Sequence, residues 1–248
     1  MFVLLKNVNN IHLTNNNRYA VSTRWEVEYE ARQREKAELS ANRMFCKNCH
    51  YCSSRCTFSL EDFYNYCCCL ARRRVGDMFF LMERTDGSPV VVAGPCWPFC
   101  VFVTVPIIML VVVVVSYFIF YEWEVYWWVA LIYFPIVAFT VVSLCMVSCR
   151  DPGLIERVTD GEVGRNREWI WNKQTASFRP SGAMYCRECK VLIQDYDHLC
   201  PWTGTGIGRG NMIAFRVFVV SINILCYVSV ILLAVAGIMS MDRQKGYF

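Results

Sequence analysis

Within the stretch DYDHLCPWTGTGIGRGN, residues 195–211, an Asp, a His and a Cys fall inside four positions: Asp197, His198 and Cys200. A cysteine at its ordinary pKa near ~8.5 is only a few per cent thiolate at neutral pH, so one that forms thioesters needs a base or an electropositive site beside it. His198 has the chemistry of that base. Asp197 can fix the imidazole tautomer and stabilise the imidazolium, which is the logic of a catalytic triad in compact form. Whether residues this close in sequence reach one another depends on the backbone turn, and the competing reading is a polar loop with an incidental cysteine.

The composition indicates what must position these residues. Of 248 residues 55% are hydrophobic, with 15 Cys, 3 His and a formal net charge of +4. That length allows one or two domains, and the apolar content points to a membrane protein. Basic and acidic residues are mixed over most of their length, which argues against a nucleic-acid partner. The run MFVLLK is too short for a signal h-region and has no basic segment before it, so no secretory signal is expected. Several cysteines lie inside apolar runs and the rest in segments assigned to the cytosol below. Reduced thiols, acylated thiols or metal ligands therefore fit better than a disulfide framework.

Three uncharged stretches, Trp97–Tyr121, Val125–Cys149 and Val217–Met241, each run to 25 residues, against roughly 20 needed to cross a bilayer as a helix. The alternative, buried core helices of a soluble protein, fits three such stretches poorly. The link Glu122-Trp123-Glu124 has no Lys or Arg, whereas the segments before the first stretch and between the second and third are rich in them. The positive-inside rule then puts residues 1–96 and 150–216 in the cytosol, with Trp123, Tyr126, Trp127 and Trp128 as an aromatic belt on the opposite face. The expected fold is an all-α polytopic membrane protein with three transmembrane helices and a cytosolic cysteine-rich loop between the second and third. Its parts are an N-terminal region with a Cys cluster (1–96), two spans (97–149), the segment carrying the triad (150–216), and a third span with a short tail (217–248).

In the N-terminal region Thr23 and Glu26 have capping-box spacing, and the mixed-charge stretch to about Arg43 reads as a solvated helix. MFFLME and PVVVAG, separated by RTDGS, predict a hairpin turning near Asp86-Gly87. No internal repeat is visible.

From the second span onward the chain reads CRDPGLIERV and then FRPSGAMYCRECKVLIQDYDHLCPWTGTGIGRGNMIAF. This resembles the DHHC-type protein S-acyltransferases, integral membrane enzymes that attach fatty acids to cysteines. The resemblance rests on Asp151-Pro152-Gly153, Arg179-Pro180, Cys186-x2-Cys189, Asp197-His198-Leu199-Cys200-Pro201-Trp202, Ile207-Gly208, and Asn211 followed by Phe215, and covers roughly residues 97–241. It implies a two-step exchange: Cys200 takes an acyl group (palmitoyl) from a long-chain acyl-CoA and passes it to a protein cysteine. The implied partners are membrane lipid, acyl-CoA and cysteine-containing proteins, in an endomembrane or the plasma membrane. Lys190, Arg209 and Arg216 are candidates to meet the CoA phosphates, with interface anchoring as the alternative.

The family normally holds two structural zinc ions, each through three Cys and one His. Its spacings fall here on Asn172, Thr175, Tyr185 and Leu192 for one ion, and on Cys186, Cys189, Leu199 and Gly206 for the other. Leu199 stands where the family has its second His. Two thiolates fall short of a four-ligand site, so fewer than two zinc ions are expected: the first site absent, the second absent or completed from elsewhere. Apolar packing, including Leu192 and Leu199, is expected to take over. The family usually adds a fourth span and a TTxE motif, which do not follow the third span in these 248 residues. A fragment, an incomplete acyl cavity or a partner-supplied wall would each account for that.

Cys46-x2-Cys49-His50-x-Cys52-x3-Cys56 has enough ligands for one zinc ion, and Cys67, Cys68 and Cys69 beside Arg72, Arg73 and Arg74 suit self-acylation; free thiols are the alternative for both. Asn223 is expected to make an interhelical hydrogen bond, and His12 and His50 carry no motif. Two rival readings stand beside the enzyme: a catalytically silent relative acting as a membrane scaffold or client-binding protein, and a metal- or redox-responsive membrane protein working through the N-terminal cysteines.

Overall fold

The computed structural model describes residues 18–45, 73–118, 127–158 and 169–245. The N-terminal cysteines Cys46, Cys49, Cys52, Cys56 and Cys67 to Cys69, together with His12, His50, Trp123 and Tyr126, lie outside the described residues.

Helix α1, Thr23–Phe45, carries the expected i,i+4 pairs, Arg24 with Glu28 at 2.8 Å and Glu30 with Arg34 at 3.8 Å. The capping box does not form. Thr23 is the first helical residue and its N–H donates to the Gln174 carbonyl at 3.0 Å, while the Glu26 carboxylate reaches Arg157 at 2.8 Å. The tertiary partner wins because both side chains of that pair are nearly withdrawn from water, at 7% and 12% exposure.

The predicted hairpin is present as β2, Met78–Glu83, and β3, Pro89–Ala93, and a third strand, β1, Arg73–Val75, pairs with β2 on its other edge. Next comes α2, Trp97–Tyr117, whose segment Cys100–Thr104 is π-helical. Pro106 lies just past this wider turn and has no N–H to donate back to Phe102. Helices α3, Trp127–Cys149, and α4, Met212–Lys245, complete the set. Among the described residues three segments, Trp97–Tyr117, Trp128–Cys149 and Met212–Met239, are long and apolar enough to cross a membrane. The last begins at Met212, ahead of the expected Val217, because Asn211 turns the chain directly into α4: the Asn211 side chain accepts from the Gly208 N–H and donates to the Gly206 carbonyl, each at 3.0 Å.

Helices α3 and α4 are joined by hydroxyls. Ser143 and Ser221 share a hydrogen bond of 2.9 Å, Thr140 donates to the Ser221 carbonyl at 3.3 Å, and Tyr133 meets Ser229 at 3.3 Å. Asn223 makes no such bridge; its amide donates to its own helix at the Val219 carbonyl, at 2.7 Å.

The all-α expectation needs correction, because residues 169–207 form three short antiparallel hairpins. They are β4, Trp169–Asn172, with β5, Ser177–Pro180; β6, Ala183–Cys186, with β7, Val191–Gln194; and β8, His198–Cys200, with β9, Thr205–Ile207. Each turn ends in a residue with left-handed backbone, Ala176 (φ 45°), Lys190 (φ 58°) and Gly204 (φ 77°). The first strands end at Asn172, Cys186 and Cys200, so the hairpins recur every fourteen residues. A structural repeat is therefore present. It is hidden in the sequence because what recurs is a backbone turn, closed by three different residue types.

Two hydrophobic clusters organise the molecule. One joins Ile108, Val112, Tyr133, Leu144, Phe218 and Leu225 of the three long helices to Cys200 and Ile207. The other joins Tyr19, Val21 and Trp25 to Met78, Phe80 and Val92 of the sheet and to Cys186, Cys189, Val191 and Ile193. Backbone bonds stitch the same parts together: Ser22 N–H to Lys190 C=O, Leu192 N–H to Ala20 C=O and Asp77 N–H to Cys189 C=O, at 2.9 to 3.1 Å. The N-terminal region thus supplies much of the packing around the cysteine-rich hairpins, beyond the two leucines expected from sequence.

Candidate active site

The pleat of β8 arranges the site. Alternate residues of a strand face the same side, about 7 Å apart along it, so His198 and Cys200 point one way and Leu199 the other. The packing follows this division: Cys200 and Ile207 belong to the cluster of the long helices, whereas Leu199 packs with Cys186 and Cys189. The strand therefore brings His198 and Cys200 to one face, which spacing alone left open.

Asp197 Oδ2 lies 2.9 Å from His198 Nδ1. A proton held between them leaves Nε2 as the basic nitrogen. The ring also meets Phe215 edge-on, with centroids 5.3 Å apart, on the second turn of α4. Cys200 is buried while His198 and Asp197 are 42% and 57% exposed, so the thiol sits at the apolar end of the site and the carboxylate at the wet end.

The surrounding motifs hold this hairpin to the helices. Asp151 Oδ1 accepts from the N–H groups of Gly153 and Leu154 at 2.9 and 3.0 Å, and burial pushes its carboxyl above the usual range against those two bonds. The turn it forms lies on Gly208–Gly210: Gly210 donates to the Pro152 carbonyl at 3.0 Å, and a side chain at Gly210 would come within 2.3 Å of the Asp151 carbonyl. Arg179 donates to the Ala183 carbonyl and closes the turn between β5 and β6. On the opposite side, Thr104 of α2 donates to the Trp202 carbonyl at 2.9 Å, and the Cys96 N–H reaches the Gly204 carbonyl at 3.1 Å.

The three basic candidates differ in their surroundings. Lys190 pairs with Asp77 at 2.9 Å at the tip of the β6–β7 turn, and the same carboxylate holds Arg74 at 2.6 Å and Trp25 Nε1 at 3.2 Å. Its charge is engaged by the N-terminal sheet. Arg209 is exposed and 4.0 Å from Asp195, and Arg216 is exposed on α4.

The positions that correspond to zinc ligands carry other interactions. Asn172 Oδ1 accepts from the N–H groups of Gln174 and Thr175 and from the Thr175 hydroxyl, at 2.9, 3.1 and 3.3 Å. Leu192 is fully buried, which is worth about 1.5–3 kcal/mol. In the next hairpin Cys186 Sγ accepts from the Cys189 N–H at 3.3 Å, the same turn built with sulfur instead of amide oxygen. The hydrogen bond from the Cys189 thiol brings Cys186 down to about 7 and pushes Cys189 up. Leu199 and Gly206, opposite each other in the β8–β9 ladder, occupy the remaining two positions. Two thiols beside a leucine and a glycine do not fit a tetrahedral zinc ion. Among the described residues no three His, Cys, Asp or Glu side chains group as metal ligands.

Sequence reasoning did not single out Asn172 as a turn-closing acceptor, although Asn is suited to that task. It also missed Thr104 and the buried Thr205, which carry no motif.

Residues 166–247 match the family model described as DHHC palmitoyltransferase. The chain is 26% identical over 139 residues to Palmitoyltransferase ZDHHC14 of Mus musculus, covering 44% of this chain and 28% of that protein. It is 28% identical over 116 residues to Palmitoyltransferase ZDHHC18-B of Danio rerio, covering 35% and 30%. It is 29% identical over 123 residues to Palmitoyltransferase ZDHHC18 of Mus musculus, covering 37% and 32%. The chain thus spans about three-tenths of the length of the curated relatives it matches.

Proposed function

Since the chain belongs to the DHHC family through residues 166–247, we propose that it is a protein S-acyltransferase that moves a long-chain acyl group from acyl-CoA to protein cysteines through an acyl-enzyme on Cys200. The observation that carries this reading is the common face of β8: Cys200 at the apolar end, and His198 beside it with Nδ1 held by Asp197 at 2.9 Å.

The chemistry follows from that order. His198 Nε2 takes the Cys200 proton as the sulfur attacks the thioester carbonyl; the bond to the CoA sulfur breaks, and the leaving thiolate receives that proton. In the second step a client cysteine gives its proton to His198 and attacks the acyl-enzyme, and Cys200 leaves as the thiol. Asp197 holds the imidazole and stabilises its charged form. Because Cys200 packs among residues of the long helices, the acyl chain extends into the bilayer, where each methylene contributes about 0.8 kcal/mol, while the carbonyl stays at the interface. Of the three basic candidates, Arg209 and Arg216 are exposed and are left to meet the CoA phosphates, since Lys190 is engaged by Asp77. The excess of basic residues flanking the spans supports a cytosolic active site.

The surroundings of the replaced zinc positions support the enzyme over the scaffold. The lost zinc ligands are replaced by Asn172, Leu192 and Leu199 in packed or hydrogen-bonded positions, and Asp197 holds His198 at 2.9 Å on the strand that also carries Cys200. The test is labelling with a clickable fatty acid, followed by hydroxylamine. Wild type should carry a hydroxylamine-sensitive acyl group that Cys200→Ser lacks. Label that depends only on Cys67 to Cys69 would defeat the enzyme reading and favour the scaffold.

A further inference from the structure

Thr205 stands directly opposite Cys200 in the β8–β9 ladder. Residues opposed in an antiparallel pair project to the same face with Cβ atoms about 4.5–5.5 Å apart, so the Thr205 side chain shares the face of the nucleophile. It is fully buried, and its hydroxyl has no hydrogen-bond partner among the described residues. The other hydroxyls around this turn are all engaged: Thr203 donates to the Cys200 carbonyl at 3.3 Å, Thr104 to the Trp202 carbonyl at 2.9 Å, and Ser148 meets Cys100 Sγ at 3.7 Å. The segment before α2 closes over Thr205, since a side chain at Gly94 would lie 2.7 Å from its Cβ. Buried hydroxyls normally find a partner, and one that does not calls for an explanation.

We propose that the missing partner arrives with the substrate, and that Thr205 is the oxyanion donor of this site, giving its O–H to the carbonyl oxygen of the acyl group on Cys200. The inference rests on the acyltransferase reading. As the Cys200 sulfur bonds to the carbonyl carbon, the C=O π pair moves onto oxygen and the Thr205 O–H donates to it without transferring its proton. When the pair returns, the C–S bond to CoA breaks and CoA leaves as the thiol, carrying the proton taken up by His198. A donor fixed in a dry site acts on the charge that develops in the transition state, so its effect falls on the rate and not on substrate binding.

The experiment uses the full chain in detergent, with palmitoyl-CoA as donor and iodoacetamide as a second probe of the same sulfur, because alkylation by displacement at saturated carbon makes no oxyanion. Thr205→Val should slow acyl-enzyme formation at saturating palmitoyl-CoA about 100-fold, leave KM and the iodoacetamide rate on Cys200 unchanged, and melt no lower than wild type. Thr205→Ser should restore the acylation rate, and Thr205→Ala, the fallback if the valine does not fold, should behave as the valine. Wild-type acylation in Thr205→Val, or acylation and alkylation falling together, would overturn the oxyanion role and leave the acyltransferase reading intact. If wild type is alkylated at Cys200 but takes no acyl group, both fall.

Discussion

Leu199 and Cys200 are neighbours in the chain and members of different cores: Leu199 packs with Cys186 and Cys189, and Cys200 with residues of the three long helices. A one-residue step along β8 changes face, so Leu199 can differ from the family's histidine without displacing Cys200, the proposed nucleophile. On the proposed acyltransferase reading, that separation lets the family's metal shell vary without touching the reacting sulfur.

Restoring the shell tests this directly. Leu199→His with Gly206→Cys completes three Cys and one His around the Cys186–Cys189 turn. The new cysteine Cβ would lie 3.4 Å from Cys189 Sγ and 3.0 Å from an Ile193 methyl, which must give by a few tenths of an ångström. Metal analysis should find about one zinc ion per chain in the double variant and none held by this turn in wild type. Zinc in wild type that disappears on mutating Cys186 or Cys189 would contradict the apolar reading.

Asn172→Ala removes the acceptor of three hydrogen bonds in the β4–β5 turn and should destabilise that hairpin by about 1–3 kcal/mol. Asn172→Asp keeps an acceptor and should be close to wild type. Amide exchange over residues 169–180 is the measurement, with protection lost in the alanine variant alone.

Breaking the Glu26–Arg157 pair leaves a charge out of water. Arg157→Ala should cost about 3–5 kcal/mol, and the double change Glu26→Gln, Arg157→Met clearly less. Equal losses in thermal unfolding would mean that the pair's burial is not what matters.

Burial raises the Asp151 carboxyl above its ordinary value of 3.8. Folding therefore shifts this carboxyl toward protonation relative to the unfolded chain, and the resulting contribution is complete below 3.8 and lost as pH rises through the folded value. Asp151→Asn keeps the Oδ1 acceptor and does not ionise. Wild type should lose stability relative to this variant as pH climbs from about 4, and parallel curves would show that the carboxyl is not desolvated.

His198→Ala should slow acyl-enzyme formation by about 10² to 10⁴, with a smaller loss for Asp197→Asn. Rapid-quench labelling separates these rates from the later transfer to a client cysteine. An alanine variant that acylates as fast as wild type would assign the base elsewhere.

The long helices and the β2–β3 hairpin were legible because their signals are local: uncharged runs, and alternating residues about Asp86-Gly87. Asp197, His198 and Cys200 were legible as a set of residue types, but the common face of His198 and Cys200 depends on β8 being a strand, and three residues carry no periodicity. The fourteen-residue recurrence of hairpins was not legible, since its turns close on Ala176, Lys190 and Gly204, three unlike residues that share only a left-handed backbone. Nor was the engagement of Lys190 by Asp77, or of Glu26 by Arg157, because each joins segments far apart in the chain.

The shared core of Trp25, Met78 and Phe80 with Cys186 and Ile193 has a consequence for synthesis. The N-terminal half of that core leaves the ribosome well before the hairpins it must grip, with two membrane-crossing helices to be threaded in between. Until the last hairpins emerge, that half lacks the Cys186 and Ile193 side chains that cover it, so the proposed nucleophile Cys200 is among the final parts of the newborn protein to gain a rigid footing.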